Sequence, residues 1–492
     1  MTPAASVVDT RAAFRGVFPG VMVALFLASL DQTILAAALP AIAASLGGLA
    51  DLSWIAVAYL LTVTVSAPLY GHLGDRFGRR RVLLIALALF TCASLACAVA
   101  PTFAVLIAAR ALQGLGGGGL MTLSQALIGE HVPPRERGRF QGYFAAVFAV
   151  SSTLGPVLGG YLTEHFSWRA AFAINLPLGA VAAWLALRIP ASARTSSAPF
   201  QLDIPGIVLF SIGATTLLYA LTQWNRIGLI SPAMLALVVV AAASLGALLW
   251  WERRAADPLI PVRLLAIPAI SYTDAMVFCF AAALFGTLLY LPLYLQLAHG
   301  FGIGESGLLL VPVTLTMALT ATLTGKLISS TGRLTVFPTV GLALSTAAFA
   351  TLAATASSAT ALAVVALVIA AAFGLGTVMP ASQILVQDSA GAASLGAATA
   401  SISVSRSIGG AFGAAVVGAL IFSVVAGHDV ALAQVLQRLP ENGVAALDSL
   451  TATQRAAVTT RIDAAFSAAF SLLAILTAIG CALALAVPRR RL

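Results

Sequence analysis

Gly71-His72-Leu73-Gly74-Asp75-Arg76-Phe77-Gly78-Arg79 returns 254 residues later as Gly325-Lys326-Leu327-Ile328-Ser329-Ser330-Thr331-Gly332-Arg333. Gly71, Leu73, Gly78 and Arg79 map onto Gly325, Leu327, Gly332 and Arg333 at that one offset. Each copy is a short polar junction between two long apolar runs. The runs belong to a chain of 492 residues that is 60% hydrophobic and 9% charged, with a mean hydropathy of +1.01. A soluble domain carries about 25% charged residues, so this composition excludes one. Runs of about 18 to 25 apolar residues cross a hydrocarbon core about 30 Å thick as helices. Only helices and closed barrels satisfy every backbone polar group in lipid. Barrel strands would alternate apolar and polar residues over about ten positions, which these runs do not. The chain reads as an all-α polytopic membrane protein.

Hydropathy places fourteen helices, at roughly 18–42, 53–71, 82–99, 103–128, 141–161, 170–188, 204–222, 232–251, 269–296, 307–324, 336–354, 359–379, 397–424 and 464–487. Positive charge orients them, because cytoplasmic loops carry the excess of Lys and Arg. With the N-terminus inside, 19 of the 26 positive residues fall on the inner side, among them Arg11, Arg15, Arg76, Arg79–Arg81, Arg135, Arg137, Arg139 and Arg489–Arg491. Five fall outside (Arg169, Arg226, Arg438, Arg455, Arg461), and two, Arg110 and Arg406, lie inside predicted helices. Both termini are therefore expected in the cytoplasm. Both copies of the repeat also fall on that side, so the halves are parallel repeats about an axis along the membrane normal. The second copy follows the tenth helix. That divides the chain into a six-helix bundle (1–188), a linker with two extra helices (189–268), and a second bundle (269–492) with a long external loop at 425–463.

Other classes fall away on the same evidence. The arginines sit in short clusters between apolar runs, without the basic patch and stacking aromatics of a nucleic-acid partner. Cys92, Cys97, Cys279 and Cys481 lie inside apolar runs without metal-ligand spacing, and the five histidines have none either. The first apolar run lacks a small-residue cleavage site and reads as a retained helix rather than a signal peptide. GxxxxGK[ST] is absent, which argues against an ATP-driven pump, and no nucleophile–base constellation suggests an enzyme. A single lysine among 26 positive residues, with abundant alanine, points to a GC-rich bacterial genome.

Several stretches resemble the fourteen-span drug:proton antiporters of the major facilitator superfamily, the EmrB/QacA-like multidrug exporters. Leu30-Asp31-Gln32-Thr33-Ile34 with Ala38-Leu39-Pro40 is similar to that family's first-helix motif, and Gly71 through Arg80 to the loop motif of the whole superfamily. Arg110-Ala111-Leu112-Gln113-Gly114 resembles the fourth-helix motif. Gly155-Pro156-Val157-Leu158-Gly159-Gly160 resembles the helix-5 antiporter signature, with Ser151 where its first glycine usually stands. Trp168-Arg169, Asn175-Leu176-Pro177 and Leu291-Pro292-Leu293-Tyr294-Leu295-Gln296 are similar to the same subgroup. The resemblance implies a cell-membrane exporter of hydrophobic and cationic drug-like compounds, driven by protons without a cofactor, a monomer being sufficient. Such a chain would confer antibiotic resistance. A dedicated exporter of one metabolite, lipid, siderophore or antibiotic would use the same machinery, and short motifs do not separate the two.

Asp31 stands mid-helix among apolar residues, where an aspartate opposes insertion by about 2.5–3.5 kcal/mol and needs a partner. Burial disfavours its charged form and makes protonation accessible, so it is the candidate proton carrier. A permanently paired structural carboxylate is the plainer reading. Arg110, at similar depth, is the candidate partner, in an ion pair that protonation would break or in a static bridge. Gly71, Gly74 and Gly78 permit close backbone approach, and Asp75 could meet the positive end of a helix from the other half. Arg76, Arg79 and Arg80 either anchor that inner gate or simply obey the positive-inside rule. In the second copy Ser329 replaces the acid. Gly155, Pro156, Gly159 and Gly160 would pack helix 5 tightly, as ordinary small residues or as an antiporter closure. Gln113, Asp274, Tyr290 and Tyr294 are candidates for a substrate cavity. Asp274 could equally snorkel, and the tyrosines could equally form an interfacial belt.

Overall fold

The computed structural model describes residues 16–46, 53–190, 203–228, 231–255, 258–259, 262–426 and 452–488. Thirteen helices among these are long and apolar enough to cross a membrane. In chain order the elements are α1 (Phe18–Leu46), α2 (Ser53–Phe77), α3 (Arg79–Ala98), α4 (Phe103–His131), α5 (Pro134–His165), α6 (Ala170–Ala173) and α7 (Asn175–Ala186). Next come α8 (Ile204–Ile227), α9 (Pro232–Glu252), α10 (Val262–Leu265), α11 (Pro268–His299), α12 (Ile303–Leu308) and α13 (Leu310–Thr331). The last are α14 (Val336–Thr355), α15 (Ala361–Leu375), α16 (Val378–Ala390), α17 (Leu395–Ala426) and α18 (Ala452–Ala486). The expected sixth span is the shorter apolar stretch Ala170–Ala186, interrupted at Ile174. Pro177 has no N–H to offer the carbonyl of Ala173, which frees the chain to break there.

The helices outrun the hydropathy windows in four places, and each has a local cause. α2 continues to Phe77, so Gly71–Phe77 is helix and Asp75 sits in its last turns, not in a loop. The break comes at Gly78, whose φ of 90° only glycine adopts without strain. Gly332 ends α13 in the same way at φ 69°. α5 begins at Pro134 rather than near 141, because proline is pre-set for the first helical turn and its missing N–H would be unbonded there anyway. The apolar run expected to end near 379 continues through α16 to Ala390. α18 starts at Ala452, so the expected loop 425–463 is helical at its far end. Its residues 427–451 lie outside the described residues, as do Arg11, Arg15, Arg194 and Arg489–Arg491.

Two buried cores fill the first part of the chain, drawing on Val17 to Ile189, and two more fill the last part, from Ala269 to Val487. Packing inside each part follows the same scheme. α1 lies along α5 and α7, while α11 lies along α17 and α18; α3 packs on α4 and α7, while α14 packs on α15 and α18. α8 and α9 pair with each other and rest against Val65 and Leu69 of α2 and Val404 of α17. Across the two parts, α2 packs on α17 and α5 on α13. The two repeat copies, on α2 and α13, thus each face a helix of the opposite part.

Candidate functional site

Asp31 is 1% exposed, and its carboxylate gathers three helices. Arg110 of α4 donates from Nη1 to Oδ2 at 2.6 Å; Gln113 of α4 and Asn175 of α7 each donate to Oδ1 at 2.8 Å. Gln113 also accepts from Arg110 at 2.6 Å and donates 2.7 Å to Ser94 Oγ of α3. Arg110 donates from Nε to the Ile55 carbonyl of α2 at 3.2 Å, and its guanidinium lies 4.3 Å from the centre of the Tyr59 ring. The geometry brings Asp31 and Arg110 into contact and adds Gln113, expected to line a cavity, to the same network. A buried charge pair survives only when its remaining donors and acceptors are met, and four uncharged or aromatic groups do that here. Protonating Asp31 would turn an acceptor of three bonds into a donor and strip Arg110 of its counter-charge.

At the arginine-rich end a second cluster joins the two halves. The Asp75 carboxylate accepts from the Gly396 N–H at 2.9 Å and from the Ala397 N–H at 3.2 Å. Both N–H groups lie in the first turn of α17, where the helix dipole favours negative charge. Arg79 pairs with Asp75 and, at 2.7 Å, with Glu130 at the end of α4. Backbone closes around this latch. A methyl group added at Gly71 would come within 2.6 Å of the Gly396 carbonyl oxygen, and one at Gly325 within 2.7 Å of the Gly138 carbonyl carbon. Positions 71 and 325 of the repeat therefore perform the same close approach, each to the other half. Thr322 donates 3.1 Å to the Gly142 carbonyl, and Gln387 donates 3.2 Å to that of Gln125. Gly74 packs on Leu123 and Arg79; Arg80 donates 2.6 Å to the Leu187 carbonyl, and Arg76 is half-buried in the last turn of α2.

The helix-5 element divides. Gly155 and Gly159 press against Thr33 and Ile34 of α1, two and three residues from Asp31, and Thr33 donates 2.8 Å to the Ser151 carbonyl. Gly160 has nothing within 4 Å of where a side chain would start, and Pro156 is exposed on a helix that runs through it unbroken. Tyr294 is fully buried, donates 2.8 Å to the Ala356 carbonyl and stacks among Phe466 and Phe470, so it serves the core of the second half rather than a cavity wall. Tyr290 reaches Gly418 of α17. Asp274 neither snorkels nor faces a vestibule: it is 7% exposed at the α11–α17 contact, beside Ser401 of α17.

Ser94, Asn175 and Glu130 were not singled out as site residues from the sequence. Asn175 opens a quoted motif and Glu130 ends an apolar run, which were the available signals. A lone serine inside a helix gives none. Among the described residues no three His, Cys, Asp or Glu side chains gather into a metal-binding group.

A model of the Major Facilitator Superfamily matches residues 21–414. An uncharacterized MFS-type transporter of Mycobacterium tuberculosis is 36% identical over 407 residues, which cover 82% of this chain and 59% of that protein. This chain thus aligns with under two thirds of that relative's length. The multidrug transporter protein MdtP of Bacillus subtilis is 31% identical over 413 residues, 82% of this chain and 74% of its own. The fold is that of the proton:xylose symporter XylE, with a TM-score of 0.65 over 98% of this chain and 97% of that one at 13% identity.

Proposed function

The chain belongs to the Major Facilitator Superfamily, a multi-pass membrane transporter rather than an enzyme, and from that premise we propose that it exports hydrophobic or cationic drug-like compounds in exchange for protons. The observation that carries the reading is the Asp31 carboxylate, sealed from solvent and held by Arg110, Gln113 and Asn175. In this reading the 71–80 end is cytoplasmic, and the chain works as six helices plus two plus six. With Asp31 ionised, the network ties α1 to α4 and α7 while the Asp75 latch holds the cytoplasmic end shut. A proton arriving from outside neutralises Asp31 and frees Arg110. The bond between α1 and α4 weakens, and because α1 packs on α5 through Gly155 and Gly159, the change reaches the helix that meets α13. A ligand shifts such an equilibrium only through its unequal affinity for the two states, and the proton supplies that inequality at Asp31. The multidrug transporter from B. subtilis supports the cargo class, at 31% identity.

Everted vesicles loaded with ethidium outside, with and without an uncoupler, test the proposal. Uncoupler-sensitive uptake by the wild-type chain, absent in Asp31→Asn at equal membrane levels, is the expected result. Gradient-driven transport that persists in Asp31→Asn removes Asp31 as the carrier. Uptake indifferent to the uncoupler removes proton exchange altogether.

A further inference from the structure

Arg406 is the second arginine inside the membrane, and unlike Arg110 it has no acidic partner among the described residues. It lies 11 residues into α17, so its Cα stands about 16 Å from the arginine-rich end, near mid-membrane. Among the described residues its one polar contact is the Met121 sulfur of α4, 3.8 Å from Nη2, and no carboxylate neutralises it. It lines a small cavity between the two halves, with room for about one water-sized group, together with Thr64 of α2, Gly118, Met121 and Thr122 of α4, and Ser403 and Ser407 of α17. Thr122 is fully buried on that wall, and its hydroxyl has no hydrogen-bond partner among the described residues. An uncompensated guanidinium in a membrane interior is unfavourable unless something anionic or aqueous meets it. Here it faces the boundary along which a cargo would pass between the halves. A guanidinium fork matches the two oxygens of a carboxylate or phosphate, and an idle hydroxyl beside it can add a third donor.

We propose that Arg406, with Thr122 beside it, is a recognition site for the acidic group of the cargo, so that the transported compounds include amphipathic carboxylates or phosphate esters. This rests on the reading above that small molecules pass between the halves, and extends its cargo beyond hydrophobic and cationic compounds to acidic amphiphiles. The same charge would repel a cation brought to this wall. Thr64, Ser403 and Ser407 supply polarity without a competing negative charge, and Met121 supplies an apolar surface for the remainder of an amphiphile.

One fluorophore in three charge states tests it at equilibrium, independent of proton coupling: dansylglycine, its methyl ester and dansylcadaverine. Each is titrated into the purified chain in zwitterionic nanodiscs, against empty discs. The acid should bind about tenfold more tightly than the ester, the loss expected for one charged hydrogen-bonded contact. Arg406→Gln should bring that ratio to about one and improve dansylcadaverine, Arg406→Lys should keep part of it, and Thr122→Val should reduce it. A wild-type ratio near one, or an acid preference unchanged in Arg406→Gln, overturns the site. Suppression of the wild-type preference by phosphatidylglycerol in the discs would mean that a lipid phosphate takes the position, which overturns the cargo assignment. Failure of ethidium exchange leaves these ratios readable, so the two proposals fall separately.

Discussion

Arg110 and Asp31 show what a single buried pair requires. Removing one partner of such a pair leaves the other charged and unsolvated, a loss of about 3–5 kcal/mol. Arg110→Gln should therefore lower the melting temperature of the purified chain sharply, and Asp31→Asn, which keeps an acceptor for Gln113 but leaves the Arg110 guanidinium without its counter-charge, should lower it as well. The double variant should melt above Arg110→Gln alone, because no orphaned charge remains, yet it should still fail to exchange protons. A double variant no more stable than Arg110→Gln would mean that the guanidinium matters for its contacts with Ile55 and Tyr59, not for its charge. At this scale the sequence was most informative where the residue was charged. An acid or arginine in an apolar run announces a partner, which is why Asp31 and Arg110 were legible. Ser94 and Asn175 were not, since uncharged polar side chains sit in apolar helices at little cost by bonding a backbone carbonyl, as Ser94 does to Phe90. Asp274 was visible, but whether it met water or a helix depended on the rotation of α11, which local pattern does not specify.

Helix ends and helix faces were read unequally well. The apolar stretches were legible because crossing a membrane imposes both length and composition. Their extensions beyond the lipid were not, because α2, α5 and α16 continue through charged or amide residues held by capping and pairing rather than hydropathy. The helix-5 glycines illustrate the same limit, since the motif has three and two of them, Gly155 and Gly159, press on α1. A methyl at Gly155 would lie 3.0 Å from the Ile34 nitrogen, and one at Gly159 within 3.1 Å of the Ile34 side chain, whereas Gly160 is open. Overpacking of this kind costs about 1–3 kcal/mol. Gly155→Ala and Gly159→Ala should each weaken the α1–α5 contact and cut transport, measured as uncoupler-sensitive efflux per unit of folded protein. Gly160→Ala should match the wild type on both measures. Equal damage from all three would show that helix flexibility, not packing against α1, is the property these glycines provide.

The two halves meet through paired contacts related by the internal repeat, and those contacts are what a transport cycle has to undo. Gly71 with Gly396 and Gly325 with Gly138 close the arginine-rich end from both sides. The Asp75 carboxylate on α17 adds a charged latch on one side alone, because Ser329 stands at the corresponding place in the second copy. This asymmetry was already visible in the sequence, while the partner surfaces at Gly138 and Gly396 were not, as nothing local to those glycines indicates what faces them. Asp75→Asn keeps the shape but forfeits the charge–dipole attraction, worth about 0.3–1 kcal/mol, or about 2 where partly buried. A shift of that size changes the balance of two states by roughly twofold to thirtyfold, enough to favour opening without unfolding the chain. Fixing the other side should do the opposite. A side chain begun at Gly142 would place its Cβ 3.1 Å from that of Thr322, so a small parting of α5 and α13 brings the pair to the spacing of a disulfide, about 3.5–4.5 Å. In a background without the four native cysteines, Gly142→Cys with Thr322→Cys should cross-link on oxidation, stop transport and recover on reduction. Labelling of a cysteine placed at Ser329, beside Gly138, should fall in the cross-linked protein and rise in Asp75→Asn. Full transport by the oxidised, cross-linked chain would mean that α5 and α13 do not separate at this end during the cycle. The parallel-repeat mechanism would then need a different moving interface, with α2 and α17 the most extensive of the remaining contacts between the halves.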